Sequence, residues 1–318
     1  MTRSALRRAV YAMCAATIAA NVSVPAVALA PDAAQAGPAA CRTTCAETRF
    51  IEAGGVRYAY RVLGSGDGPP LLMLNRFRGT MDEWDPAFVD ALARTRTVIL
   101  FDNAGVARSS GQASPRLAGW ADNAAAFAAA LGHGEVDVFG FSFGGLVAQE
   151  LAHRKPSMVR RLIIAGSGPG YVEGHNVRPE AIAVATRPVN TDEDFLYLFF
   201  RDTPTSQAAG RAHLARLRAR PDAFQALVGE AAWKAMLSAG SDVGTPQTSL
   251  LNRAPGLNKP VLVANGVEDV MIPTFQSFAL AQALPDARLV IYPDSGHAFM
   301  FQYPEVFAEE VDRFLSSP

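Results

Sequence analysis

Val136–Leu151 reads VDVFGFSFGGLVAQEL, and the fold turns on its centre, GFSFGG. An apolar run ends at Phe141, a helical pattern starts after Gly144, and between them stands Ser142, with glycine two places before it and two places after it. Glycine loses more backbone freedom on folding than any other residue, so a flanking pair needs a reason. A strand that turns at once into a helix supplies one: the two backbones approach closely, and side chains at Gly140 or Gly144 would collide there. The serine then takes the apex of the turn, strained and exposed at the carboxyl end of a sheet, with the positive end of the following helix aimed at the same place. The plainer reading is a tight turn whose serine only caps the helix.

On either side of this stretch, short apolar runs at Leu71 to Leu74, Thr97 to Phe101, Val136 to Phe141, Arg161 to Ala165, Pro260 to Ala264 and Arg288 to Tyr292 predict buried strands. Helical stretches lie between them, so the class is α/β, a parallel sheet covered by helices on both faces. RFIEAGGVRYAYRVLG (49–64) differs, and Gly54-Gly55 at its middle predicts an antiparallel hairpin at the leading edge. Between Gly170 and Leu257 no strand is evident and amphipathic segments take over, which predicts a helical cap inserted into the sheet domain. The expected division is 48–170 core, 171–257 cap and 258–318 core.

A serine hydroxyl at neutral pH is a poor nucleophile and needs a base, usually a histidine held by a carboxylate. The chain has five histidines. His133 precedes a strand, His153 lies inside the helix after Ser142, and His175 and His213 fall in the insertion. His297 follows the last strand directly, in YPDSGHAFM, and so emerges at the same sheet edge as Ser142. NGVEDVMIP follows the preceding strand and offers Glu268 and Asp269. From Asp269 to His297 the chain encloses one helix and one strand, which returns it to that edge one strand over. Asp269 also suits a helix cap before Pro273, and His297 a turn histidine satisfied by its surroundings.

The order Ser142, Asp269, His297, together with GFSFGG, NGVEDVMIP and DSGHAF, resembles the α/β-hydrolase superfamily over essentially the whole chain from Thr48 to Leu315. The resemblance implies an eight-stranded, mostly parallel sheet with a cap after the sixth strand, and a reaction that needs no metal or organic cofactor. It also implies an oxyanion hole made by the backbone N–H groups of Phe77 and Phe143. Two departures stand out. LNRFRGT (74–80) has Asn75 and Arg76 where the family has His-Gly, and in FDNAGVARSSG Ala104 and Ala107 replace an arginine and a glycine. Arg76 and Arg78 flank the oxyanion loop and are candidates to meet an anionic substrate group, or else to form salt bridges. In the cap, DFLYLFFRD (194–202) concentrates aromatic residues. Tyr197 and Phe200 are candidate pocket residues, although helical spacing has most of the run pack the cap itself.

Acidic and basic residues balance at 30 and 29, and the arginines are scattered, so no one-signed field for nucleic acid is built. Residues 1–36 have Arg3, Arg7 and Arg8, an uncharged run from Ala9 to Ala20 and small residues at Ala34 to Ala36, the layout of a signal for periplasmic or extracellular export and too short to span a bilayer; the other reading is an alanine-rich tail on a cytoplasmic protein. Residues 37–47 are expected to form a disordered leader. Cys41 and Cys45 lie close enough to pair in an oxidising compartment, and two free cysteines in a mobile leader are the equal alternative. The expected partner is a small ester or lactone, cleaved through an acyl-enzyme. A peracid-forming haloperoxidase, a carbon-carbon bond hydrolase, or a binding protein without catalysis are the other readings of the same scaffold.

Overall fold

The computed structural model describes residues 42–317. The export-signal reading for residues 1–36 lies outside them, as does Cys41. Cys45 is disulfide-bonded.

The hairpin forms where the glycines require it. Gly54 and Gly55 take φ of 58° and 79°, the pair of left-handed residues that a tight two-residue turn needs. They join β1 (Arg49–Ala53) to β2 (Val56–Leu63) in antiparallel register, with Ala53 opposite Val56. The sheet continues through β3 (Leu71–Leu74), β4 (Val98–Phe101), β5 (Val136–Phe141), β6 (Val159–Ala165), β7 (Val261–Gly266) and β8 (Ala287–Tyr292). Its eight strands run in the order β1-β2-β4-β3-β5-β6-β7-β8, and all neighbours from β4 onward pair in parallel.

Alternation along the strands divides the core in two. Met73, Phe139, Phe141, Ile163 and Leu262 face one side, where α1 (Pro86–Leu92) and α10 (Pro304–Ser316) cover them with Phe88, Phe307 and Val311; the short α9 (Phe299–Gln302) precedes α10. Leu72, Val138, Leu162, Ile164 and Val263 face the other, under α2 (Leu117–Ala130), α3 (Phe143–Arg154) and α8 (Thr274–Ala283). Each of these side chains is fully buried, worth roughly 1.5–3 kcal/mol relative to exposure. Trp84 and Trp120 are both core residues.

Between β6 and β7 the described chain is helical: α4 (Pro179–Ala185), α5 (Asp192–Phe199), α6 (Pro204–Leu217) and α7 (Glu230–Ser241). Residues 42–47, expected without structure, instead carry a short 3-10 turn at Thr43–Cys45. Thr43 is buried, and polar contacts anchor the turn: the Thr43 N–H donates to Asp90 at 2.9 Å, and Arg220 of the cap donates to the carbonyls of Thr43 and Ala46.

The segment FDNAGVARSSG closes over the end of β4. Asp102 is buried and accepts N–H groups from Met81 and Arg108, and burial pushes its carboxyl up to about 7. Ala107 sits at φ 45°, a left-handed conformation that costs a residue with a Cβ. Ala107→Gly is therefore expected to stabilise the fold by about 1 kcal/mol, read as a rise in denaturation midpoint at unchanged slope; an unchanged or lower midpoint would remove the strain argument.

Candidate active site

β3, β5, β7 and β8 end on one edge of the sheet, and each is followed by a loop that carries candidate residues. This edge is where ligands collect in open α/β sheets.

Ser142 occupies the turn between β5 and α3 at φ 54° and ψ −118°, outside the regions open to most residues. Its N–H donates to the Ala165 carbonyl at 2.9 Å, and its carbonyl accepts from Gly145 at 2.8 Å, so backbone bonds on both sides hold the strain. A Cβ on Gly144 would lie 2.1 Å from the Leu74 carbonyl oxygen, and one on Gly140 would lie 2.4 Å from that of Gly144. Both atoms belong to backbone that cannot yield, so glycine is obligatory at the two positions. The Ser142 hydroxyl makes no capping bond to α3, which sets aside the plain helix-cap reading.

Asp269 and His297 meet. Asp269 Oδ2 lies 2.7 Å from His297 Nδ1, and Asp269 Oδ1 accepts the N–H groups of Met271 and Ile272, both at 2.8 Å. One oxygen thus holds the turn while the other holds the imidazole, so the capping role and the pairing role coexist. An ionised carboxylate only accepts, so the neutral ring carries its proton on Nδ1 and its lone pair on Nε2. The ring is 1% exposed and packs against Phe141 and Phe199, at centroid distances of 5.0 and 5.3 Å. The Ala298 N–H donates to the Phe199 carbonyl at 2.9 Å, tying the end of α5 to the His297 loop.

Ser142 and His297 line one cavity of about 720 Å³. Phe77 lines it too, and among the described residues its N–H has no protein acceptor. Phe143 is the first residue of α3, where an N–H has no partner within the helix. Its ring turns away from this cavity, edge-on to Trp120 at 5.1 Å.

Arg76 does not sit at the surface. It is buried, ion-paired with Glu83, bonded to its neighbour's carbonyl (Phe77 O, 2.9 Å), and stacked over Phe199 at 4.9 Å. Glu83 also accepts the Thr80 N–H, and Asn75 Oδ1 accepts the Arg76 N–H at 2.7 Å. The loop that lacks the family's glycine is therefore braced by its own side chains. Arg78 also lines the cavity, at φ 56°.

Tyr197 and Phe200 do not line the Ser142 cavity. Both face a separate depression of about 910 Å³; Tyr197 is 43% exposed, while Phe200 is buried against Gly210. Helix geometry explains this. At about 100° per residue, Phe195, Leu198 and Phe199 share the face that lines the Ser142 cavity, and Tyr197 points away from it. Phe200 follows the helix end in extended conformation. Trp233 and Met271 also line the cavity, and no pattern in the sequence marks them.

A second Asp–His pair stands 2.7 Å apart, His213 Nδ1 with Asp85 Oδ2. His213 is fully enclosed, lines neither cavity, and stacks on Phe301 at 4.4 Å, so it has no access to a substrate. Among the described residues no group of three His, Cys, Asp or Glu side chains is placed to hold a metal ion, and no helix is long and apolar enough to cross a membrane.

An eight-stranded sheet of this order, carrying a strained serine at a strand-to-helix turn, defines an α/β-hydrolase, and the sequence profile of the alpha/beta hydrolase fold matches residues 69–304: the chain belongs to that family. Among solved structures it is similar to an alpha/beta hydrolase fold protein from Chitinophaga pinensis, with 37% identity, a TM-score of 0.79, and coverage of 87% of this chain and 100% of that one. It is 29% identical to a poly(3-hydroxyalkanoate) depolymerase from Ectopseudomonas oleovorans, over 77% of this chain and 84% of the relative. A 2-hydroxymuconate semialdehyde hydrolase from Pseudomonas putida is 32% identical, over 70% and 78%. The chain is a hydrolase of the α/β type.

Proposed function

We propose that this hydrolase cleaves a carboxylic ester or lactone through an acyl-enzyme on Ser142. His297 Nε2 takes the Ser142 proton as Oγ attacks the carbonyl carbon, and the carbonyl π pair moves onto oxygen. The N–H groups of Phe77 and Phe143 face that oxyanion, with the positive end of α3 behind them. Collapse expels the alcohol, which takes the proton from Nε2. Water, deprotonated by the same nitrogen, then releases the acid and regenerates Ser142. Asp269 keeps the imidazole in the Nδ1–H tautomer and stabilises the imidazolium.

The observation that carries this reading is the Asp269–His297 hydrogen bond at 2.7 Å, on a ring that shares its cavity with the strained Ser142. The depolymerase name of one relative is in keeping with it. The test is a series of p-nitrophenyl esters of graded acyl length, given to wild type and to Ser142→Ala. Turnover by wild type alone is expected. No turnover in wild type, or equal turnover in both, would overturn the assignment.

A further inference from the structure

The Ser142 cavity is lined by four cationic side chains, Arg76, Arg78, Arg218 and Lys234, and three of them are spoken for. Arg76 pairs with Glu83, Arg218 with Asp192 at 2.6 Å, and Lys234 with Glu230 at 2.5 Å; all six groups line the cavity. Arg78 has no carboxylate within ion-pair distance among the described residues. Its partners are main-chain carbonyls of the cap: Nη1 donates to Ala185 O at 3.3 Å and Arg187 O at 2.6 Å, and Nη2 donates to Pro188 O at 3.1 Å. A guanidinium has five N–H donors, so the Nε–H and one Nη2–H are left over. Those are the two nitrogens with which Arg154, Arg160 and Arg216 of this same protein grip Asp122, Asp137 and Asp85 bidentately.

Position and environment point the same way. Arg78 follows Phe77 directly, stands in a strained left-handed conformation, and lies over the Trp233 ring at 5.2 Å. Arg78 is half-buried, and that burial together with neighbouring Arg76 lowers its pKa against the opposing pull of Glu83. A half-buried cation whose hydrogen-bond partners are all neutral carbonyls gives up part of its hydration without gaining an ion pair, a cost that a lining built only to pack would avoid. An incoming anion would remove that cost, and the unused edge of the fork fits a planar carboxylate.

Resting on the ester-hydrolase reading above, we propose that Arg78 is the anion-recognising residue of this cavity, and that the substrate is an ester or lactone bearing a free carboxylate apart from the scissile bond. Arg76 is excluded from this role because Glu83 and Phe77 O occupy it.

The experiment compares half-esters of linear dicarboxylic acids, over graded chain length, with the corresponding diesters, by pH-stat. At the best length, wild type should prefer the half-ester by about tenfold or more in kcat/KM, as expected for one charge-assisted contact. The ratio should shrink as ionic strength rises. In Arg78→Gln it should fall to about one, and Arg78→Lys should keep part of it. Equal kcat/KM for half-ester and diester at every length in wild type, or an undiminished ratio in Arg78→Gln, overturns the proposal. Should Arg78→Gln fail to fold, inhibition of wild-type diester turnover by free glutarate and adipate decides instead: competitive inhibition supports the site, and none refutes it. If wild type turns over no ester at all, the hydrolase reading fails separately. Titration of Trp233 fluorescence with glutarate, wild type against Trp233→Phe, then judges the anion site alone, a saturable change supporting it and a flat trace refuting it.

Discussion

Ser142→Ala is expected to lower kcat on a p-nitrophenyl ester by roughly four to six orders of magnitude, while leaving the fold intact. The hydroxyl caps no helix, so its removal breaks no structural hydrogen bond; what is lost is the atom that would carry the acyl group. The strain at φ 54° would remain with alanine, because it is set by the close approach of Gly140 and Gly144 to neighbouring backbone rather than by the serine. His297→Ala should cost a similar factor, and the double variant little more than either alone, since the two residues would act as one unit. Asp269→Asn is milder, at roughly two to four orders of magnitude. Asparagine can still accept from Met271 and Ile272 with its oxygen, but it then turns an NH2 group toward His297 Nδ1, which favours the wrong tautomer. Labelling by a fluorophosphonate should follow the same order. Retention of even a tenth of wild-type kcat by purified Ser142→Ala would remove Ser142 from the chemistry.

Much of this arrangement is legible in the sequence because its signals are local. GFSFGG announces a strand-to-helix turn through two glycines with steric reasons, and Gly54-Gly55 announces a hairpin through φ. Asp269 and His297 are found by counting strands, since residues that follow consecutive parallel strands must emerge on one edge. Side-chain direction in the cap is a different matter. A run as apolar as DFLYLFF gives no clear face, so Tyr197 and Phe200 cannot be told from Phe195 and Phe199 until the helix has been docked. Long-range polar pairing is equally hidden. Nothing near His213 in the chain points to Asp85, which lies 128 residues away, and nothing near Arg220 points to Thr43. The charge balance that isolates Arg78 also appears only once Glu83, Asp192 and Glu230 have found their partners.

The second large effect lies in that hidden pairing. Asp85 is fully buried at the start of α1, where Oδ1 accepts the Ala87 N–H at 2.8 Å. From the cap, Arg216 donates to it through Nε at 2.8 Å and Nη2 at 2.5 Å, and His213 Nδ1 lies at 2.7 Å. Asp85→Ala would delete a helix cap, leave a guanidinium without its counter-ion and orphan a buried imidazole donor. Breaking a buried pair from one side costs roughly 3–5 kcal/mol, so Tm should fall by about 10 °C. A fall of less than 1 kcal/mol in unfolding free energy would mean that the cap is held elsewhere. The same cluster predicts an acid response. Burial lowers the His213 pKa, against the opposing pull of Asp85, so the unfolded chain takes up a proton near pH 6.5 that the folded chain still refuses. Burial tends to raise the Asp85 pKa, but the bonds from His213 and Arg216 outweigh it and the net shift is downward, so its contribution is full above about pH 4 and is lost below. Both groups make stability fall as pH drops, whereas Asp102, raised to about 7, makes it rise between pH 7 and pH 4. Comparing slopes between variants separates them. His213→Leu should lower the slope of unfolding free energy against pH below 6.5 by up to about 1.4 kcal/mol per pH unit relative to wild type. The same difference in unfolding free energy between the two proteins at pH 5, 6 and 7, measured by urea denaturation, would show that His213 titrates alike in both states and is not the acid-sensitive element of the cap contact.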